Sequence, residues 1–206
     1  MKKFELTTDT KIFLGKKIFR IKALISFGNV KAGDMGGYIE KEENLSQSGN
    51  AWVSGNAKVY GNAEVYGNAE VSGNAKVYGN AKVSGNAWVY GNAEVSGDAW
   101  VSGDAWVSGN AKVSGNAWVY GNAKVYGNAE VSGDADYATA SGFGSEYQTT
   151  TFFKLKNSDE IGIRCGCFYG TLKEFKEKVK ETHGETKKAK EYLMLADLME
   201  YKFSEE

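Results

Sequence analysis

The amino-acid sequence predicts a mainly β protein, a parallel β-helix (β-solenoid) of about five 18-residue coils held between an N-terminal strand cap and a small C-terminal α+β module. Three observations predict it. A hexad, Gly-Asn-Ala-x-Val-(Tyr/Ser), recurs fifteen times between Gly49 and Ala138 and varies mainly at its fourth and sixth letters. The composition is that of a repeat, with 26 glycines and no proline in 206 residues. Both flanks lack the hexad and carry periodicities of their own.

Within a hexad, Ala, x, Val and the sixth letter alternate, so Ala and Val face one side of a short strand while x and Tyr/Ser face the other. Gly-Asn then breaks the strand, because glycine takes positive φ without penalty and Asn is the next most tolerant residue. Three such strands and three corners close a triangular coil. Stacking coils pairs each strand with the one eighteen residues on, at about 4.8 Å. Fourteen valines and the final Tyr137 fill one inward slot and fifteen alanines the other, leaving the variable letters as outer surface.

Columns at a spacing of eighteen define three outer faces. The x letters of the first are Trp52, Glu70, Trp88, Trp106 and Lys124, with Tyr90 and Tyr126 among its sixth letters. The second reads Lys58, Lys76, Glu94, Lys112 and Glu130, with Tyr60 and Tyr78 beside them, and is mostly charged. The third reads Glu64, Lys82, Trp100, Trp118 and Asp136, with Tyr66 and Tyr120 outward. All five tryptophans lie on two faces, so Trp52, Trp88, Trp100, Trp106 and Trp118 with Tyr90, Tyr120 and Tyr126 are the candidate partner-binding residues. Two other readings compete: the C-terminal helices fold back over one Trp face, or the rings stack along the sheet in water.

The domain boundaries follow from these patterns. Residues 1–42 are an N-terminal β cap, in which "KFELTT" and "KIFLGKKIFRIKALISF" alternate around turn signals at Asp9 and Gly15. Residues 43–138 are the β-helix, opened by the degenerate unit "ENLSQS". Residues 139–206 form the α+β module. There "TTFFKLK" and "IGIRCGCFYG" read as two strands joined by a turn at Asn157, Ser158 and Asp159. A helix follows with Thr171 as N-cap, Glu174 closing a capping box, Leu172, Phe175 and Val179 on one face, and Gly184 as its stop. A second helix sets Tyr192, Leu195, Met199 and Phe203 in one stripe. Caps fit a solenoid, whose bare end is a sheet edge open to polymerisation.

The pattern Val-x-Gly-Asn-Ala-x resembles the hexapeptide repeat of left-handed parallel β-helices, best known from trimeric acyltransferases, and it covers ninety of 206 residues. The resemblance implies the left hand, against the usual right-handed crossover. The entry segment "GDMGGYIEKEENLSQSGNAWV" and the tail "GCFYGTLKEFKEKVKETHG" also resemble YdcK-like proteins of unknown function and proteins encoded by phages and prophages.

Acyltransferases of that fold generally use a coil histidine as general base at a subunit boundary. Here the single histidine, His183, lies in "KETHGET" at a helix end, outside every coil, where it suits the helix dipole better than catalysis. A hexapeptide acyltransferase working with acyl-CoA at a subunit interface would need another base, such as Glu64, Glu70 or Glu94. Nucleophile-elbow, P-loop, HExxH and dinucleotide fingerprints are absent from the sequence. Cys165 and Cys167, placed by a strand on one side of Gly166, read as buried apolar thiols rather than metal ligands, because with His183 they make only three. Asp replaces Asn at corners 98, 104 and 134, but never twice running in one column, which argues against a calcium ladder.

Charge narrows the partners. With 25 basic and 26 acidic residues there is no field to collect nucleic acid or an anionic membrane, and the lysines of the C-terminal helices are interleaved with Glu174, Glu177, Glu181 and Glu185. Faces mixing Trp, Lys and Glu do not suit ice binding. The first fifteen residues are polar and alternating, and no run of eighteen apolar residues occurs, so the expectation is a cytoplasmic protein. It is expected to be non-enzymatic, without cofactor or metal, and to act as a homo-oligomer (dimer or trimer) or through another protein.

Overall fold

The computed structural model describes residues 2–144 and 147–204. The N-terminal flank forms a hairpin, β1 (Phe4–Phe13) and β2 (Lys16–Ala23), turned at Leu14 and Gly15, and then β3 (Met35–Ile39). Asp9, expected to mark a turn, lies inside β1 where the register slips between Leu6 and Thr10. The polar run there deforms the ladder without ending the strand.

Strands β4 to β17 are the x-Val pairs of fourteen successive hexads, from β4 (Trp52–Val53) to β17 (Glu130–Val131). Each of β4 to β14 pairs in parallel with the strand eighteen residues on, as in Lys58↔Lys76, Glu64↔Lys82 and Trp88↔Trp106. The result is a solenoid of three sheets: β4-β7-β10-β13-β16, β6-β9-β12-β15, and β5-β8-β11-β14-β17 extended by β3, β2 and β1 into eight strands. Valines from Val53 to Val131 and alanines from Ala51 to Ala129 form one buried core.

The corners show why the glycine is invariant. Gly85 has φ +66°, and a Cβ there would sit 2.8 Å from the Gly103 nitrogen of the next coil. Both the backbone angle and the close approach exclude a side chain. The following Asn donates from Nδ2 to Oδ1 of the Asn above, so Asn56, Asn74, Asn92, Asn110 and Asn128 form one continuous ladder. At Asp98 and Asp104 the other ladders receive a bond from Asn80 and Asn86, and a carboxylate has no proton to pass on.

The fifteenth hexad departs from the coil. Gly133 has an extended φ of −155°, and Asp134–Asp136 form a 3-10 turn. Asp136, expected as an x letter of the third face, instead accepts from the Ser132 and Gly133 amides and pairs with Lys154 at 2.9 Å. Ala135, expected in the core, is exposed. Tyr137 is buried as expected, but it opens β18 (Tyr137–Ala140) and donates its hydroxyl to the Trp118 carbonyl at 2.6 Å.

The C-terminal sheet has four antiparallel strands, β18, β19 (Thr150–Lys154), β20 (Ile161–Cys165) and β21 (Phe168–Thr171). The segment "IGIRCGCFYG" is thus two strands rather than one: Gly166 has φ +55° and Cys165 pairs with Phe168 across a tight turn. Helix α1 (Leu172–His183) begins on the Thr171 and Glu174 capping box and ends at Gly184, whose amide donates to the Lys180 carbonyl. Helix α2 (Lys187–Phe203) follows. Leu172, Phe175 and Val179 of α1 pack with Tyr192, Leu195 and Met199 of α2 against Phe152 and Ile163. The helices therefore cover their own sheet and not a tryptophan face.

Coil-to-coil bonds have a direction. Amides of x, the sixth letter and Asn donate to the coil that follows, as Lys58 to Ala75, Tyr60 to Val77 and Asn62 to Gly79. The first coil consequently presents carbonyls toward the N-terminus, and the last presents amides. The caps answer in kind. Lys3 Nζ donates to Ala51 O at 2.8 Å and Gly49 O at 3.4 Å, and Asn44 Nδ2 donates to Ala63 O at 2.8 Å and Gly61 O at 3.1 Å. At the far end Asp134 Oδ1 accepts from the Trp118 amide and Thr151 Oγ1 from the Lys124 amide. Lys3, Asn44 and Thr151 are all buried, where an unpaired polar group would cost about 1–3 kcal/mol.

Candidate interaction surface

The hexad register decides which tryptophans meet. Trp88 and Trp106 occupy β10 and β13, and their rings stack with centroids 5.2 Å apart at 4°. Trp100 and Trp118 occupy β12 and β15 and stack at 5.2 Å and 8°. The two pairs lie at the same height on adjacent faces, separated by the corner at Gly103 and Asp104. Both pairs belong to the third and fourth coils, and together they are termed the indole band.

Polar contacts fix the indoles. Trp100 Nε1 donates to Ser84 Oγ at 2.8 Å and Trp118 Nε1 to Ser102 Oγ at 3.1 Å, each serine belonging to the preceding coil. Ser84 is buried as a result, so the sixth column is not uniformly outward. Where the preceding sixth letter is Tyr90, its ring meets Trp106 edge-on at 6.2 Å. Lys124 Nζ stands 5.3 Å from the Trp106 centroid, and Tyr120 leans on Trp118 at 5.2 Å.

The band is open. Trp88, Trp100, Trp106 and Trp118 keep 41%, 37%, 37% and 44% of their surface exposed, and Tyr120 keeps 56%. With ring faces spent on stacking, the indole edges form an apolar strip whose shape the solenoid sets. Two of the aromatic candidates are not part of it. Trp52 is only 7% exposed, covered by Phe27 at 5.5 Å edge-on, so its expected outward role is corrected. Tyr126 is packed by Tyr169, 5.2 Å away, and by Arg164 over its ring. Phe27 and Tyr169 come from the flanks, and no hexad column could have announced them.

The chemical candidates stay dispersed. Glu64, Glu70 and Glu94 lie on three different faces, and Glu94 is bound to Lys76 at 2.8 Å. His183 closes α1 and stacks on Tyr192 at 5.8 Å. Cys165 is half-buried, accepting from the Thr150 hydroxyl at 3.2 Å. Cys167 is exposed in the hairpin turn, which corrects the reading of two buried thiols on one strand. Among the described residues no cluster of three His, Cys, Asp or Glu is arranged to hold a metal, and no helix is long and apolar enough to cross a membrane.

Residues 75–91 match the family model described as YdcK Beta solenoid repeat. The matched stretch runs from the coil at β8 to the corner after β10 and includes Trp88. The match agrees with the β-solenoid architecture of this stretch. No curated protein matches the chain.

Proposed function

We propose that the protein is a non-enzymatic assembly and binding solenoid, and that its indole band joins it to a second copy of itself. The observation that carries this is the four stacked, half-exposed tryptophans on a rigid three-sheet frame. Tryptophan is the residue most enriched at the energetic centres of interfaces, and a strip fixed by a solenoid loses little entropy on docking.

The column on the first face supports self-recognition. Beyond Trp52, which Phe27 covers, it reads Glu70, Trp88, Trp106, Lys124, with an acid on one side of the indole pair and a base on the other. A two-fold axis across the middle of that column lays Glu70 of one copy against Lys124 of the other, with the indoles between. Such an interface is isologous and closes as a dimer. A trimer is the assembly that the acyltransferase-like repeat suggests. The resemblance to phage- and prophage-encoded proteins extends the proposal to a virion accessory or host-directed inhibitor in the host cytoplasm. Acyl transfer gains no support from the dispersed Glu64, Glu70 and Glu94.

The test is paired. Trp88→Lys with Trp106→Lys is expected to reduce the assembly to single chains while the far-ultraviolet spectrum stays that of the folded protein. Millimolar acetyl-CoA is expected to leave the melting temperature unchanged, since a ligand bound only by the native state would raise it. Unchanged assembly in the double variant overturns the interface, and a saturable acetyl-CoA shift overturns the non-enzymatic reading.

A further inference from the structure

A cavity of about 460 Å³ opens in the C-terminal module, between the tip of the β20–β21 hairpin and the last two turns of α1. Its apolar lining is the half-buried Phe168 over a floor of Phe175, Val179 and Tyr192, which belong to the core of the module and show only their edges to the cleft. Phe168 and Phe175 lie 5.5 Å apart at 54°, and Phe175 meets Tyr192 edge-on at 5.6 Å. The cavity is a cleft open to solvent, and its volume falls in the range of small-molecule sites. The cavity has an evident origin in the chain. The hairpin tip at Gly166 carries no side chain, and a Cβ there would meet only Gln148, at 3.9 Å.

The rim has a definite chemistry. On the α1 side it carries Lys178, Thr182 and His183, each able to donate a hydrogen bond, and on the hairpin side Cys165 and Cys167. Among the described residues no carboxylate lines the cavity, and Glu174, Glu177 and Glu181 line a neighbouring cleft that shares Phe168 and Lys178 with it. Lys178 is held by Glu181 at 2.8 Å in an exposed pair, which is worth little in water and is readily exchanged for a ligand oxygen. A ring-lined chamber with donors at one lip matches a molecule that is apolar along its length and carries one anionic end.

We propose that this cavity is a binding site for an apolar monocarboxylic acid, its carbon body against Phe168, Phe175, Val179 and Tyr192 and its carboxylate at Lys178 and Thr182. The site stands apart from the indole band and does not depend on it.

The test uses the full chain with three probes of equal length: decanoate, decanol and decyltrimethylammonium. Calorimetric titration is expected to show saturable 1:1 binding of decanoate, weaker binding of decanol and none of the cation. Bound decanoate is expected to slow alkylation of Cys165 by iodoacetamide, read by mass spectrometry. Lys178→Glu should weaken decanoate by about tenfold or more, the loss of one charge-assisted bond and its replacement by repulsion. Val179→Phe should abolish binding by filling the chamber. Thr182→Phe, at an exposed position, closes the mouth without touching the core and keeps the test open if Val179→Phe does not fold. Absence of decanoate binding overturns the proposal. So does binding that survives both Lys178→Glu and Thr182→Phe, or equal binding of the cation, since either places the probe on some other apolar surface such as the indole band.

Discussion

Lys3 shows how much of the fold's logic a single side chain can hold. It replaces amides that a preceding coil would have supplied to Gly49 and Ala51, and it does so buried, with Phe27 over its ammonium at 4.9 Å. Burial pulls its pKa down to about 8. Below pH 8 the lysine is charged both folded and unfolded, and the cost of burying the charge is fully present. Between about 8 and 10.5 the unfolded chain keeps a proton that the native state has released, so stability rises with pH. Lys58, lowered by burial and by Lys11 and Lys76, acts in the same direction. Tyr60 and Tyr137 act in the opposite one: burial raises both to about 12, so above pH 10 the unfolded chain loses protons that the native state retains, and stability falls. Denaturant unfolding across pH 7–11 is therefore expected to show a maximum near pH 10, by about a unit either way. In Lys3→Met the rise on the acid side of that maximum should shrink while the fall above it remains. A second residue-level prediction concerns Ser108, whose buried hydroxyl has no partner among the described residues. Ser108→Ala removes that unsatisfied group and is expected to stabilise the protein by about 1 kcal/mol, seen as a higher denaturation midpoint.

The repeating element is the strand with its corner, and there the sequence was most legible. Fixed Ala and Val specify the inside, Gly-Asn the corner, and the eighteen-residue column the neighbours, so the meeting of Trp88 with Trp106 and of Trp100 with Trp118 could be read before any coordinates. Corner glycines leave little latitude. Gly85→Ala puts a methyl 2.8 Å from the Gly103 nitrogen at a positive φ, and is expected to cost about 1–3 kcal/mol, measured by the same unfolding assay. Elsewhere the letters misled for identifiable reasons. The alternation of "IGIRCGCFYG" is compatible with one strand or with two, and only the tolerance of Gly166 for positive φ could have signalled the hairpin. At residues 133–138 the hexad frame persists, but Asp136 at x and Tyr137 in the valine slot were the sign that the coil was ending.

Across the whole molecule the hydrogen-bond direction of the coils sets the chemistry of both ends. Donor side chains close the N-terminal end and acceptor side chains the C-terminal end: Lys3 and Thr151 come from the flanks, Asn44 from the degenerate first unit and Asp134 from the last hexad, where the coil ends. Their partners lie forty or more residues away in the case of Lys3 and Ala51, which is why no local pattern announced them. Separation along the chain likewise hid the covering of Trp52 by Phe27 and of Tyr126 by Tyr169. What the caps leave uncovered is the middle of the solenoid, where Glu70 and Lys124 flank the stacked indoles of the first face. The most direct test of the account is the absolute molar mass in solution by light scattering, for the wild type and for Trp88→Lys with Trp106→Lys. The account predicts a wild-type mass that is a small multiple of the 22.4 kDa chain, twice for the two-fold assembly, and a single-chain mass for the variant. A wild type that remains a single chain at every concentration, or a variant that assembles as the wild type does, would contradict it.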